Sequence, residues 1–288
     1  MPAWLRLASR LPLPLLYALA ALLSFIAHRV IRHRAAVIRD NIAGCFPELP
    51  PAARRRIERG FHRNLAQVVA EAVKAASMPA QELSRHVRFN NLSLVRDLLA
   101  GGSSVLIVGA HQCNWEWMLL AASVQLGYPL DAAYKPLRAA GAERAMLALR
   151  SRFGTRMIPA KDLLMTFVRS RGARGIALLA DQVPVTAEYK WWTRFLGRPT
   201  AFYMGPEKMA QATRSAVVFA AMRRVRRGCY ELDFQLLAAP RAKLDPGVIT
   251  ERYARALETS LRAAPADWLW SHRRWKLRPE PGAVDLGA

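Results

Sequence analysis

The chain has 288 residues, 52% of them hydrophobic, and 43 Lys and Arg against 21 Asp and Glu, a formal net charge of +22. That hydrophobic share excludes a largely disordered chain, and the length can bury a sizeable core. Three cysteines far apart, Cys45, Cys113 and Cys229, exclude a disulfide framework or zinc spacing, and the charge calls for an acidic partner.

Leu11 to Ala27 is an uncharged run of 17 residues with Arg6 and Arg10 before it and Arg29, Arg32 and Arg34 behind it. It reaches the lower end of the ~17–25 residues that cross a bilayer. With the heavier basic cluster behind, the run reads as an uncleaved anchor, residues 1–34, that leaves the remainder on the cytoplasmic side. Pro12 and Pro14 shorten its regular part, so a half-inserted helix is the other reading. Beyond Pro51, Ile57, Phe61, Leu65, Val68, Val69, Ala72 and Val73 recur at steps of three and four, predicting a long amphipathic helix with Arg54, Arg55, Arg56, Arg59 and Arg63 outward.

Ser104 to Leu120 (SVLIVGAHQCNWEWMLL) predicts strand, turn and helix, the helix capped by Asn114 and starting at Trp115. The alternation then continues: strand over 130–134, helix over 142–153, strand over 156–158, helix over 162–171, strand over 175–180. This order predicts an α/β fold, a mostly parallel sheet flanked by helices, over residues 35–288 as one domain. Tyr189 to Phe202 is aromatic and basic without clean periodicity and reads as a lid or membrane-interface loop. A helix over 206–212, a hairpin about Gly228 and a helix over 248–261 complete the chain.

Strands of a parallel sheet deliver their C-terminal ends to one edge, where ligands bind. His111, Lys135, Asp181 and Gln182 fall at such ends. Glu116 lies five residues after His111, about 500° of helical rotation, so the two side chains can meet only if His111 stays in the turn. A carboxylate-held histidine there suits a general base that deprotonates a hydroxyl. Lys135 and Arg150 can hold a phosphate or polarise a carbonyl oxygen. Cys113 has no neighbour that would lower its thiol pKa, and His272 has no carboxylate close in sequence. No Gly-rich phosphate loop, GxSxG elbow, HExxH or CxxC occurs, and the scattered arginines form no nucleic-acid motif.

The His111-to-Glu116 spacing resembles the HxxxxD/E signature of the glycerolipid and lysophospholipid acyltransferases. The pieces DNIAGCFPELP, GAHQCNWEW, YKPL with RSRFG, ALLADQVP, RFLGRPTAF with GPEKMAQ, and WLWSHRRWK resemble, in order, one branch of them: the late acyltransferases of lipid A biosynthesis. The resemblance implies transfer of a fatty acyl chain from an acyl thioester, usually on acyl carrier protein, to a hydroxyl of a lipid A precursor. The setting it implies is the cytoplasmic face of a bacterial inner membrane, with anionic lipid as a further partner and no metal or cofactor. It makes His111 the base and Glu116 its carboxylate, with Asp181 a second acid serving the histidine. Asn114, Lys135, Arg150 and Gln182 are expected to face substrate. Gln112 and Cys113 stand where many members carry an aromatic residue and a glycine, and Lys135 where many carry arginine. Other lipid acceptors, or a non-catalytic anionic-lipid binder, are the competing readings.

Overall fold

A computed structural model of the chain describes residues 2–26, 34–184 and 189–279. Two short helices open it, α1 (Ala3–Ser9) and α2 (Leu13–Phe25), bent by 115° at the break between them. The prolines at the start of α2 cause the break, since proline cannot donate into a continuing helix. No single helix among the described residues is long and apolar enough to cross a membrane. Where the anchor is expected the chain forms this bent pair, and Arg29 and Arg32 of the basic flank lie outside the described residues. α2 buries Leu16, Tyr17 and Ala20 on Ala66 and Ala70 and leaves Leu19, Leu22, Leu23 and Phe25 exposed.

α3 (Ala35–Cys45) leads to α4 (Pro51–Ala75), whose first residue is a proline where no N–H is needed. α4 buries Ile57, Phe61 and Val68 as its periodicity requires; Val69 faces outward instead. Then follow α5 (Ala80–His86), β1 (Val87–Phe89) and α6 (Leu92–Ala100). The alternating core runs β2 (Val105–Gly109), α7 (Trp115–Gln125), β3 (Leu130–Tyr134), α8 (Ala140–Arg150), β4 (Arg156–Pro159), α9 (Leu163–Val168) and β5 (Gly175–Leu179).

Residues 190–203 are not a loop but a separate antiparallel hairpin, β6 (Lys190–Phe195) and β7 (Arg198–Tyr203). Its tip, Leu196 and Gly197, has φ of 50° and 76°, the left-handed pair that matches the strands' twist. α10 (Gly205–Thr213), β8 (Ala216–Arg226), β9 (Cys229–Ala238) and α11 (Val248–Ala263) complete the elements.

The seven-stranded sheet has the order β1-β9-β8-β2-β5-β3-β4, parallel throughout except where β9 runs against β8. β2 is central, and all five of its residues are buried. Leu106 and Val108 point into one core with α4, α11 and the β6–β7 hairpin; Val105 and Ile107 point into the other with α7. With both faces covered, β2, β3, β4 and β5 end together at one open edge.

Candidate active site

His111 follows β2 at that edge, and Asp181 follows β5, the strand hydrogen-bonded to it. The adjacency brings the two side chains together: His111 Nδ1 lies 2.7 Å from Asp181 Oδ1, and the His111 backbone N–H donates to Asp181 Oδ2 at 3.0 Å. A carboxylate only accepts, so Nδ1 carries the hydrogen and Nε2 keeps its lone pair. The Trp268 indole donates to Asp181 Oδ2 at 2.8 Å, which completes the shell of a carboxylate only 3% exposed.

The C-terminal segment locks the turn. Leu269 N–H donates to the His111 carbonyl, Cys113 N–H donates to the Asp267 carbonyl, and Gln112 bridges to Trp268. Tyr253 of α11 donates its hydroxyl to the Gly109 carbonyl at 2.8 Å. Cys113 sits at φ 52°, a conformation glycine adopts more easily, and burial pushes its thiol pKa well above the ordinary value. It is buried and donates to the Met222 carbonyl. Those features leave it no nucleophilic role.

Glu116 is not the hydrogen-bond partner of His111. Arg150 of α8 grips it with both nitrogens, Nε at 2.9 Å and Nη2 at 2.6 Å, and the Trp115 indole donates to it at 3.1 Å. Only its field reaches the imidazole. Asn114 does cap α7, its Oδ1 accepting from Trp117 N–H at 2.9 Å. Its Nδ2 donates to Glu71 at 2.7 Å and the residue is 0% exposed, so it holds the turn and does not line the cavity described below. Lys135 is exposed at the rim of the cavity described below, and Gln182 brings Nε2 to 3.4 Å from His111 Nε2.

Burial alone disfavours the His111 cation, but the charge and hydrogen bond of Asp181, with the field of Glu116, outweigh it and raise the imidazole pKa. Burial would likewise raise Asp181; His111 and the Trp268 indole hold it down to about 2. His272, in the C-terminal segment, is pushed the other way, to about 4, by burial and by the cations around it. It is therefore uncharged near neutrality and a weaker proton acceptor than His111.

A cavity of about 820 Å³ opens beside His111, within the ~300–1,000 Å³ of small-molecule sites. Ile107, Met118, Leu119, Ala177, Leu179 and Phe234 make its apolar wall on the α7 face; His111, Glu116, Arg150 and Lys135 supply its polar end. A Cβ on Gly109 would lie 2.9 Å from Met118 Cε and 3.0 Å from Leu179 Cδ2, so glycine there lets these two side chains approach the strand. The site therefore pairs a tautomer-fixed imidazole with an apolar chamber.

Trp268, Tyr253 and Glu71 are contributors that sequence reasoning misses. Trp268 lies inside the quoted WLWSHRRWK block, and nothing local ties its indole to Asp181.

The model of the family described as bacterial lipid A biosynthesis acyltransferase matches residues 2–277. The lipid A biosynthesis lauroyltransferase of Escherichia coli (strain K12) is 24% identical over 278 residues, 95% of this chain and 89% of the relative. The lipid A biosynthesis palmitoleoyltransferase of the same strain is 22% identical over 273 residues, 94% of this chain and 88% of the relative. A lipid A biosynthesis acyltransferase of Shigella flexneri matches to the same extent. A match of this length places every residue of the turn, the Asp181 loop and the C-terminal lock inside the family: the chain belongs to the bacterial lipid A biosynthesis acyltransferases and is an acyltransferase.

Proposed function

We propose that the enzyme transfers a fatty acyl chain from a thioester, carried by acyl carrier protein, to a hydroxyl of a lipid A precursor, with His111 as general base. The supporting observation is the Asp181-fixed imidazole opening on an apolar cavity. His111 Nε2 takes the hydroxyl proton while the oxygen attacks the thioester carbonyl. The tetrahedral intermediate then expels the thiolate, which recovers the proton from the imidazolium. Asp181, ionised throughout, fixes the tautomer and offsets the charge that forms on the ring. Arg150 and Lys135 meet the oxyanion or an anionic headgroup at the polar end. The acyl chain occupies the apolar wall.

The place of action is the surface of the inner membrane on its cytoplasmic face. α2 has 13 residues, ~20 Å of helix against a hydrocarbon core of ~30 Å. Trp4, Leu7, Leu22, Leu23 and Phe25 are exposed, and the bent pair lies in one leaflet through this face. The net charge of +22 attracts acidic carrier protein and anionic headgroups alike.

The test is mass spectrometry of lipids after incubation of the purified protein with acyl carrier protein thioesters and a panel of acceptors. The panel holds a tetra-acylated lipid A precursor, other glycolipids and lysophospholipids. The expected result is one added acyl chain on the lipid A precursor with wild type and none with His111→Ala. Gain on another acceptor alone moves the substrate; equal gain in folded His111→Ala removes the base.

A further inference from the structure

Most of the large apolar side chains left exposed among the described residues gather in two places. One is the outer face of α1 and α2, which the function proposed above lays in a leaflet. The other adjoins the mouth of the cavity of about 820 Å³: Leu137, Leu164, Met165 and Val168, with Tyr189 and Tyr203 also exposed on its lining.

Strand register brings the second group together. β3 pairs with β4 so that Tyr134 lies opposite Pro159. The two strands therefore release their chains side by side, Lys135 to Arg138 after β3, and a short turn (Ala160–Asp162) leading into α9 after β4. α9 reads LLMTFV, apolar all round but for Thr166. A helix of that kind is ordinarily buried. Here only Leu163 and Phe167 face the core, while Leu164, Met165 and Val168 are 41%, 56% and 61% exposed. Leu137 is no frayed tip either, because its N–H donates to Glu143 Oε2 in the first turn of α8 at 2.8 Å. Leu137 and Leu164 are at once exposed and part of the cavity's lining, so the apolar wall continues from the chamber onto the surface.

The charge around this patch is one-sided. In segments 135–138 and 160–171, Lys135, Arg138, Lys161, Arg169 and Arg171 are exposed, against one exposed acid, Asp162. An apolar centre inside a basic rim suits anionic lipid: the apolar side chains pass the headgroups and the cations stay among them. An acidic protein would match the rim, but seated on the apolar centre it would stopper the mouth that a lipid acceptor must use.

We propose that α9 and the 135–138 loop form a lip that rests in the headgroup layer of an anionic bilayer, so that the lipid acceptor reaches His111 with its own chains still in the leaflet. The inference rests on the membrane reading proposed above and gives it a second contact with a separate purpose. The α1–α2 face is the larger and holds the protein on the surface. The lip turns the cavity toward the lipid. Acceptor chains that stay against apolar side chains are not drawn through water, and the cost of exposing their surface is avoided.

The experiment attaches an environment-sensitive nitrobenzoxadiazole dye to Met165→Cys in the full chain carrying Cys229→Ser; Cys45 and Cys113 are buried and stay unlabelled. Leu23→Cys on α2 and Leu236→Cys on β9 are labelled in parallel. β9 lies five strand spacings from β4 in the sheet, ~24 Å. Vesicles of phosphatidylglycerol and phosphatidylethanolamine with nitroxide-bearing acyl chains should blue-shift and quench the dye at positions 165 and 23 and leave it unchanged at 236. Quenching at 23 without quenching at 165 overturns the lip and leaves the membrane reading intact. Quenching at neither removes that reading and the lip with it, and quenching at 236 equal to that at 165 means adsorption without orientation, which overturns the lip as well. Met165→Glu with Val168→Glu, at side chains outside the cavity lining, should raise KM for the lipid A precursor in such vesicles roughly tenfold at little change in kcat, while the protein still sediments with them. An unchanged KM in that variant overturns the proposal too.

Discussion

His111 has two acidic neighbours and bonds to Asp181 of the pair. Asp181→Asn puts an amide against Nδ1 that can donate as well as accept, which frees the ring to carry its hydrogen on Nε2. We expect kcat to fall ~10²–10⁴-fold with KM little changed, in steady-state transfer assays on folded protein. Glu116→Gln, which breaks the bond to Arg150 and touches the ring only through the lost field, should cost less in kcat. The pH dependence has a definite sign. As the proposed base, His111 acts unprotonated and its pKa is raised, so kcat/KM should rise with pH through a midpoint above the ordinary ~6.5. The same raised pKa makes the pair's contribution to stability complete below the unfolded histidine value and lost as pH rises through the folded midpoint. Asp181, depressed to about 2, stabilises above the ordinary carboxylate value and loses that contribution as pH falls toward about 2. Denaturant melts at successive pH values, wild type against Asp181→Asn, should show the acid loss shrinking in the variant.

The β6–β7 hairpin is the element whose turn makes the sharpest demand on backbone. Gly197, at φ 76°, is free of the Cβ strain that a branched residue would meet there. Gly197→Val should cost ~1–2 kcal/mol and lower Tm by a few degrees. Sequence conceals this hairpin because Pro199 and the paired tryptophans Trp191 and Trp192 break the alternation, and leucine is an unusual first residue for a turn with two left-handed positions. By contrast β2, its turn and α7 are legible residue by residue: the β-branched run, the polar break and Asn114 as cap are all local effects. α5, β1 and α6 are not, since β1 has three residues and gains its place only by pairing with β9, far along the chain. The choice between Glu116 and Asp181 is hidden for the same reason. It depends on which strand lies beside β2 and on Arg150 arriving from α8, neither of which is a property of the turn.

On the scale of the whole molecule, the membrane attachment we propose divides between charge and apolar surface. Charge alone would release the protein from anionic vesicles near ~1 M salt, where the Debye length is ~3 Å. Wild type should therefore stay bound in a sedimentation assay at that salt, while a variant with Leu22→Glu and Leu23→Glu on the exposed face of α2 should be released. These positions leave the buried side of α2 intact. That buried side matters more than its size suggests. Tyr17 donates to Glu71 Oε1 at 2.7 Å, while Tyr230 and Asn114 donate to Glu71 Oε2 at 2.6 and 2.7 Å. A fully buried glutamate thus ties the N-terminal helices to the cap of the helix beside His111. Trimming the first 26 residues to make the enzyme easy to handle in water would strip a donor from Glu71 and uncover Ala66 and Ala70. Low turnover in such a shortened protein would report the missing tyrosine, and the loosened turn beside His111, before it reported the loss of a membrane contact.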